Sequence, residues 1–519
     1  MLKYLNTNKG YENFLELLRD EYFIDKSNII EKLSKSIGSK RKYICITRPR
    51  RFGKSSIVDM LSAYYTKSVD SQDIFDKLNI SKCTSYMQHL NKYNVIKIDF
   101  SELPDERCNY DEYINMIKST IIKDIKSIYK EIDVEQIESI PRILEETNDK
   151  FVFIFDEWDF IFNRGMFEEN QNDFLEFLRG LLKDKSYVAL AYMTGILPIK
   201  KHSSGSALNM FEEFTFLKDR KFEEYFGFTE KEVKNLCDIN EYMKYEELES
   251  WYNGYMTATG LKVYNPRSVV LALANNSCQS YWTNTGAMEE VLQYLKYNTL
   301  EVRDDVIKMV NGEEIEEEID EDYRAGQGEP RTKEEIYSAM IVLGFLSYYD
   351  GLIKIPNNEL MKEFKKALED ESFGYVSELV RNSRNVLKAT VKQDTNTIVN
   401  VLHDIHNQEI PILKYNDENS LSSVVNLTYL AARDTYRIER EEKSGKGYID
   451  FSFHPRRQRD IPFILELKKD DTLDNALNQI KEKEYFVKFK KEYKDRDILL
   501  VAICYDSKNK EHSCKIEKI

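Results

Sequence analysis

Four short runs in the first part of the chain are predominantly apolar: YICIT (43–47), NVIKIDF (94–100), FVFIFDE (151–157) and YVALAYMTG (187–195). A strand with one wet face alternates apolar and polar residues. These runs do not alternate, so they predict inner strands of a parallel sheet covered on both faces. Between them, residues 55–66, 111–130, 135–147 and 170–184 carry apolar positions at helical spacing. Strand–helix alternation over this length predicts a doubly wound α/β domain. Residues 220–300 read as mainly helical, with a turn at WYNGY (251–255). The acid run GEEIEEEIDED (312–322) reads as a solvated loop or helix face, and 333–405 as helices. The period then changes: helix 419–433, strands 436–440, 447–453 and 461–467, helix 472–490, strand 497–504. The expected organisation is a first α/β domain at 1–215, a helical lid at 216–300, a helical linker at 301–405 and a second α/β domain at 406–519. No repeat and no low-complexity linker interrupts it.

Composition narrows the partners. Among 519 residues, 42% are hydrophobic, and the formal net charge is -15. A chain this acidic has no global pull toward nucleic acid, so any such contact must come from a local basic surface. Of such surfaces, the stretch EKEYFVKFKKEYKDRD, basic with interleaved aromatics, is the best candidate, although its aromatics can equally face a core. The seven cysteines form no C-x-x-C pair, which predicts a reducing compartment and argues against zinc ribbons and disulfides. The first twenty residues lack the apolar core of a signal peptide, and no apolar run is long enough to cross a bilayer. The expectation is a cytoplasmic protein without a membrane partner.

The first strand runs into TRPRRFGKSS, residues 47–56, and then into a helix. Strand, basic turn, Gly53-Lys54-Ser55 and helix form the layout of a phosphate-binding loop. Its main-chain N–H groups and helix N-terminus face phosphates, the lysine neutralises the β and γ oxygens, and the hydroxyl helps hold Mg²⁺. The loop's usual first glycine is absent, and Arg48 stands there. A second element supports the reading. FVFIFDEWD ends a strand in Asp156-Glu157, where the aspartate can hold Mg²⁺ through water and the glutamate can polarise an attacking water. Thr194 ends a further strand and could sense the γ-phosphate or simply close a turn.

The second constellation is GKGYIDFSFHPRRQRDIPFILELKK, residues 445–469. Glu466 and Lys468 are two apart on a strand, so they share a face. If the two strands pair as a hairpin, Asp450 faces them. Two carboxylates suit Mg²⁺, and a lysine can activate water or stabilise charge on a phosphodiester. Other polar pairs carry less. His403 and His406 have metal spacing without further ligands, His454 can contact phosphate or cap a strand, and WYNGY can stack a base or pack a lid.

The motifs YFIDKSNIIEKL, ITRPRRFGKS, FDEWD, TGILPI, FGFTEKEV, WYNGY and VYNPRSVV resemble the AAA-ATPase-like proteins that often carry a C-terminal PD-(D/E)XK nuclease domain. The resemblance implies an ATP- and Mg²⁺-binding P-loop domain, a helical lid and a restriction-endonuclease-like α/β domain. In that family the RPRRFGKS form of the loop is usual. It implies nucleotide contacts from Arg50, Arg51, Phe52, Gly53, Lys54, Ser55, Ser56, Asp156 and Thr194, metal contacts from Ser55 and Asp156, and Glu157 as catalytic base. It also draws attention to Asp25 and Arg48. Arg48, Arg50 and Arg51 could clamp phosphate or reach a neighbouring subunit's nucleotide, which leaves a homo-oligomer open, or form a surface basic turn. In the nuclease-like domain it implies Glu418, Asp450 and Glu466 as ligands of Mg²⁺ or Mn²⁺, Lys468 as the catalytic lysine and Gln479 as the helix glutamine. Two functions follow. One is an ATPase coupled to cleavage of nucleic acid, DNA being the favoured partner. The other is an ATP-dependent switch or scaffold whose second domain binds nucleic acid or protein without cutting.

Overall fold

A computed structural model describes residues 2–132, 139–199, 207–282, 293–296, 299–320, 323, 330–371, 375–407, 428–441, 450–482 and 484–519. They form two compact units, Met1–Tyr297 with Glu316–Met361, and Asn298–Ile315 with Lys362–Ile519.

The first unit is built on a five-stranded sheet: β1 Tyr43–Thr47, β2 Asn94–Asp99, β3 Phe151–Asp156, β4 Val188–Gly195 and β5 Glu212–Phe214. The order is β2-β3-β4-β1-β5 and every pairing is parallel. Three of the four apolar runs, β3, β4 and β1, are inner strands of this order, and the two covered faces explain their lack of alternation. The fourth, β2, lies at the sheet edge, where Lys97 and Asp99 stay partly exposed. Ile44, Ile46, Val152, Ile154, Leu190 and Tyr192 pack with α1 (Lys9–Leu18), α2 (Ile29–Ser34) and α3 (Lys54–Tyr65). Tyr43, Cys45, Phe153, Phe155 and Met193 pack on the other side with α4 (Tyr110–Ile128), α5 (Ile140–Glu146) and α6 (Gln171–Leu182). β5, the sequence EEF, was not expected. It lies at the sheet edge, only partly buried, where no apolar run is required.

Residues 220–300 are not only helical. Besides α7 (Glu230–Asn240), α8 (Tyr245–Tyr252) and α9 (Pro266–Asn275), they hold a small antiparallel sheet of β6 Phe228–Thr229, β7 Tyr255–Met256 and β8 Lys262–Tyr264. Strands of two or three residues are too short to show a period. WYNGY is the corner between α8 and β7. Tyr252 is buried and its hydroxyl donates to the Gln279 carbonyl at 2.9 Å. Gly254 has φ +103, and a Cβ there would lie 1.8 Å from the Pro356 carbonyl oxygen. The motif packs a corner: Tyr252 and Tyr255 are buried, and Trp251 packs partly buried against the same cluster as Tyr252. The stretch expected as helices from 333 also holds a hairpin, β9 Ser347–Tyr349 with β10 Leu352–Lys354. It turns on Asp350 and Gly351, both at positive φ.

The second unit carries a sheet of order β11-β12-β13-β14-β15: Tyr436–Glu441, Asp450–Pro455, Phe463–Lys469, Leu499–Asp506 and Glu511–Lys518. β13 and β14 are parallel and the other pairs antiparallel. The expected helix 472–490 is two, Leu473–Glu482 and Glu484–Glu492. The final strand, β15, was not expected, because EHSCKIEK at a sheet edge stays polar. Residues 419–427 and 447–449 lie outside the described residues.

Candidate functional site

The phosphate loop leaves β1 as RPRRFG and enters α3. Arg51 and Gly53 have φ +69 and +85, the left-handed turns with which a loop curls its N–H groups into a concave anion site. The loop is held by the side chains that point inward. Arg48 is buried, forms an ion pair with Asp219, and donates to the carbonyls of Thr47 at 2.8 Å and Phe214 at 2.9 Å. Its guanidinium lies 4.8 Å from the Phe226 ring centre. Phe52 is buried edge-on against Phe216 and Tyr255, and its carbonyl accepts the Gly227 N–H at 3.1 Å. So the Arg48 guanidinium and the Phe52 ring anchor the loop; this corrects Arg48 as a phosphate clamp, while Phe52 still lines the cleft. Arg48→Gly, which would restore the usual glycine, leaves Asp219 buried without its cation. It should cost about 3–5 kcal/mol in denaturant unfolding and leave nucleotide affinity no better.

Arg50 and Arg51 instead line a cleft of about 1000 Å³ with Gly53, Lys54, Ser55 and Ser56. Arg267, second residue of α9, lines it too. Burial, then the nearby charges of Arg267 and Arg50, hold the Arg51 guanidinium below its ordinary range. Lys54 is buried, and its ammonium donates to the carbonyls of Arg48 and Pro49, both at 3.1 Å. Burial lowers its pKa, and Glu157, Asp159 and Asp156 oppose that in this order.

The acid strand stands opposite. Asp156 is buried at the end of β3, in register with Asp99 of β2. Its carboxyl is pushed up to about 7, first by burial and then by Glu157, while a hydrogen bond from the Ser55 hydroxyl pulls it down. Glu157 lines the cleft at φ +49, a conformation rare outside glycine that recurs at functional sites. A hydroxyl and a carboxylate that line one pocket, beside a lysine that among the described residues donates to loop carbonyls, fit a Mg²⁺–phosphate group. Mg²⁺ takes one or two protein ligands and fills the rest with phosphate and water.

Two further expectations are corrected. The Thr194 hydroxyl donates to the Ile46 carbonyl at 2.7 Å inside the sheet, so it is not turned toward phosphate. Asp25 accepts the N–H groups of Ser27 at 2.8 Å and Asn79 at 2.7 Å, the work of a turn cap.

In the second unit Glu466 and Lys468 share one face of β13, 0% and 1% exposed, with Lys468 Nζ 3.2 Å from Glu466 Oε1. Phe451 pairs with Leu465, so continuing the antiparallel register brings position 450 of β12 to position 466 of β13. Glu418 lies outside the described residues, as does the Asp450 side chain. Gln479 is partly buried on the helix Leu473–Glu482, whose Ala476, Leu477 and Ile480 pack with Ile464. His454 is buried, its Nδ1 3.0 Å from the Tyr493 hydroxyl, and belongs to the packing. Among the described side chains the basic helix presents no stacking surface, because Phe486, Phe489 and Tyr493 are buried with Leu500 while Lys490, Lys491 and Lys494 face out; the Tyr485 side chain lies outside the described residues. His403 is exposed, the His406 side chain lies outside the described residues, and no group of three His, Cys, Asp or Glu among those described could hold a metal.

A glycine-lysine-serine turn on a parallel sheet with an acid strand opposite defines a P-loop domain, and a buried Glu–Lys pair on a mixed sheet defines a second, nuclease-like one. Residues 8–204 match the predicted AAA-ATPase family, and residues 416–514 match the PD-(D/E)XK nuclease superfamily. The chain thus carries a predicted AAA-ATPase domain followed by a PD-(D/E)XK nuclease superfamily domain. A protein of Azotobacter chroococcum mcd 1, described as an uncharacterized protein in the vnfD 5' region, is 24% identical over 290 residues. That match covers 53% of each chain, so this chain spans about half the length of the relative. Among solved structures, the Walker-type ATPase paby2304 of Pyrococcus abyssi aligns at 14% identity over 66% of this chain and 94% of that one, with TM-score 0.34. The Aeropyrum pernix ORC2 protein aligns at 10% identity over 67% and 93%, with TM-score 0.29. No helix among the described residues is long and apolar enough to cross a membrane.

Proposed function

We propose that the chain is a Mg²⁺-dependent ATPase joined to a metal-dependent nuclease that cleaves nucleic acid, DNA in first place. The observation that carries the ATPase half is the buried Lys54 ammonium, held by loop carbonyls next to Ser55, which lines one pocket together with Asp156. Gly53 to Ser56 receive the phosphates, with Lys54 moving from carbonyl to phosphate oxygen. Arg50, Arg51 and Arg267 add positive charge around the same group. Ser55 and Asp156 hold Mg²⁺, which when bound neutralises charge on the transferred phosphoryl group. Glu157 orients the attacking water. Tyr22, Ile24, Phe228 and Val270 give the same cleft an apolar wall suited to a base.

The nuclease half rests on Glu466 and Lys468, charged residues kept on the covered face of an inner strand with Asp450 in register beside them. There Asp450 and Glu466, with Glu418, would hold Mg²⁺ or Mn²⁺, and Lys468 would orient water and stabilise the phosphodiester's charge. The scaffold reading also has an observation behind it, since Glu466 and Lys468 already pair with each other out of solvent's reach. One experiment separates the two. The purified chain is incubated with DNA or RNA, with Mg²⁺ or Mn²⁺, with and without ATP. Metal-dependent cutting lost in Asp450→Ala supports the nuclease, and ATP turnover without cutting of any substrate leaves the scaffold.

A further inference from the structure

The acid strand continues past Glu157 into Trp158 and Asp159. Asp159 has no exposed surface and does not line the cleft. Its Oδ2 accepts the N–H groups of Ile196 at 3.0 Å and Leu197 at 2.7 Å, in the turn after β4. No donor among the described residues meets Oδ1. That oxygen lies against Gly195, where a Cβ would sit 2.1 Å from Oδ1 and 2.8 Å from Trp158 Cδ1, so only glycine fits. The same turn is tied to the phosphate loop from its other side, because the Gly195 carbonyl accepts the Arg48 N–H at 3.1 Å. Asp159 therefore latches a turn that touches both the loop and the acid strand.

A latch for two N–H groups needs an acceptor oxygen, and an amide would serve. A buried charge costs far more than a buried amide unless something answers it. Burial and then Glu157 push the Asp159 carboxyl up to about 6, and the Leu197 N–H, the Lys54 ammonium and the Ile196 N–H oppose that; Asp159 in turn, after Glu157, attracts the Lys54 ammonium.

We propose that Asp159 is a positioning residue of the phosphate site, latching the 195–197 turn by its shape and steering the Lys54 ammonium by its charge. This rests on the ATPase reading. Asp159→Asn separates the two roles, since it keeps an acceptor for Ile196 and Leu197 and removes the charge. In the full chain, binding of a fluorescent ATP analogue should stay within about threefold of wild type, while kcat falls about tenfold or more. Asp159→Ala should show the same loss of kcat and, having lost the latch too, a lower unfolding midpoint. A kcat for Asp159→Asn within about twofold of wild type, with loss only in Asp159→Ala, would make the residue purely structural and overturn the proposal. So would an Asn variant that loses affinity at unchanged kcat. Wild-type protein that fails to bind the analogue would instead sink the ATPase reading beneath it.

Discussion

Lys54→Met should abolish ATP turnover, with kcat reduced about a hundredfold or more, while the protein stays folded. The two effects separate because of where the lysine sits. Its ammonium is buried, its pKa is held down by desolvation, and its hydrogen-bond partners are two loop carbonyls. Removing a poorly solvated cation relieves a desolvation cost, and methionine keeps most of the volume. Lys54→Met gives up two hydrogen bonds to loop carbonyls, but Arg48 and Phe52 still anchor the loop from below. Nucleotide, by contrast, loses the phosphate loop's own lysine, which lines the cleft. Turnover assays beside a denaturation curve check both halves. A variant that still hydrolyses ATP shows that phosphate is not bound here.

Glu466 and Lys468 should behave as a coupled pair in stability and as separate essentials in chemistry. Each is buried and each is the other's ion partner at 3.2 Å. Glu466→Leu or Lys468→Met alone strands a buried charge, at a cost of about 3–5 kcal/mol. The double variant removes both charges and should return to within about 1–2 kcal/mol of wild type, because a well-packed apolar pair replaces a buried ion pair at little cost. Cutting should be lost in all three. Denaturant unfolding measures the cycle and a cleavage assay the chemistry. A double variant as unstable as the sum of the singles would show that the two charges do not compensate each other. Cleavage that survives in the folded double variant would remove the pair from the nuclease site.

The sequence made some parts of this legible and hid others for physical reasons. Three strands buried on both faces, β1, β3 and β4, show as apolar runs, and the glycine-lysine-serine turn sits between one of them and a helix. Arg48 could not be read, because its partner Asp219 is 171 residues away and no local pattern connects them. Thr194 looked like a phosphate sensor for the same reason, since its acceptor, Ile46, belongs to the neighbouring strand. Asp159 lies in plain view in FDEWD, yet its role appears only when Ile196 and Leu197 fold back onto it. Edge strands β5 and β15 stay polar because one side needs no cover. Two features carry a local signal: Asp350-Gly351 between Tyr349 and Leu352 is hairpin chemistry, and the three-and-four spacing of Phe486, Phe489 and Tyr493 favours the core-facing reading of that stretch over the stacking one.

The most direct measurement is anomalous diffraction from crystals grown with Mn²⁺ and a non-hydrolysable ATP analogue. The structure predicts nucleotide density in the cleft beneath Arg267, with a manganese peak in contact with Ser55 and within a water's reach of Asp156. It predicts a second peak between Asp450 and Glu466. Nucleotide density elsewhere, or a cleft that stays empty at saturating analogue with manganese bound to neither acid pair, would contradict the account.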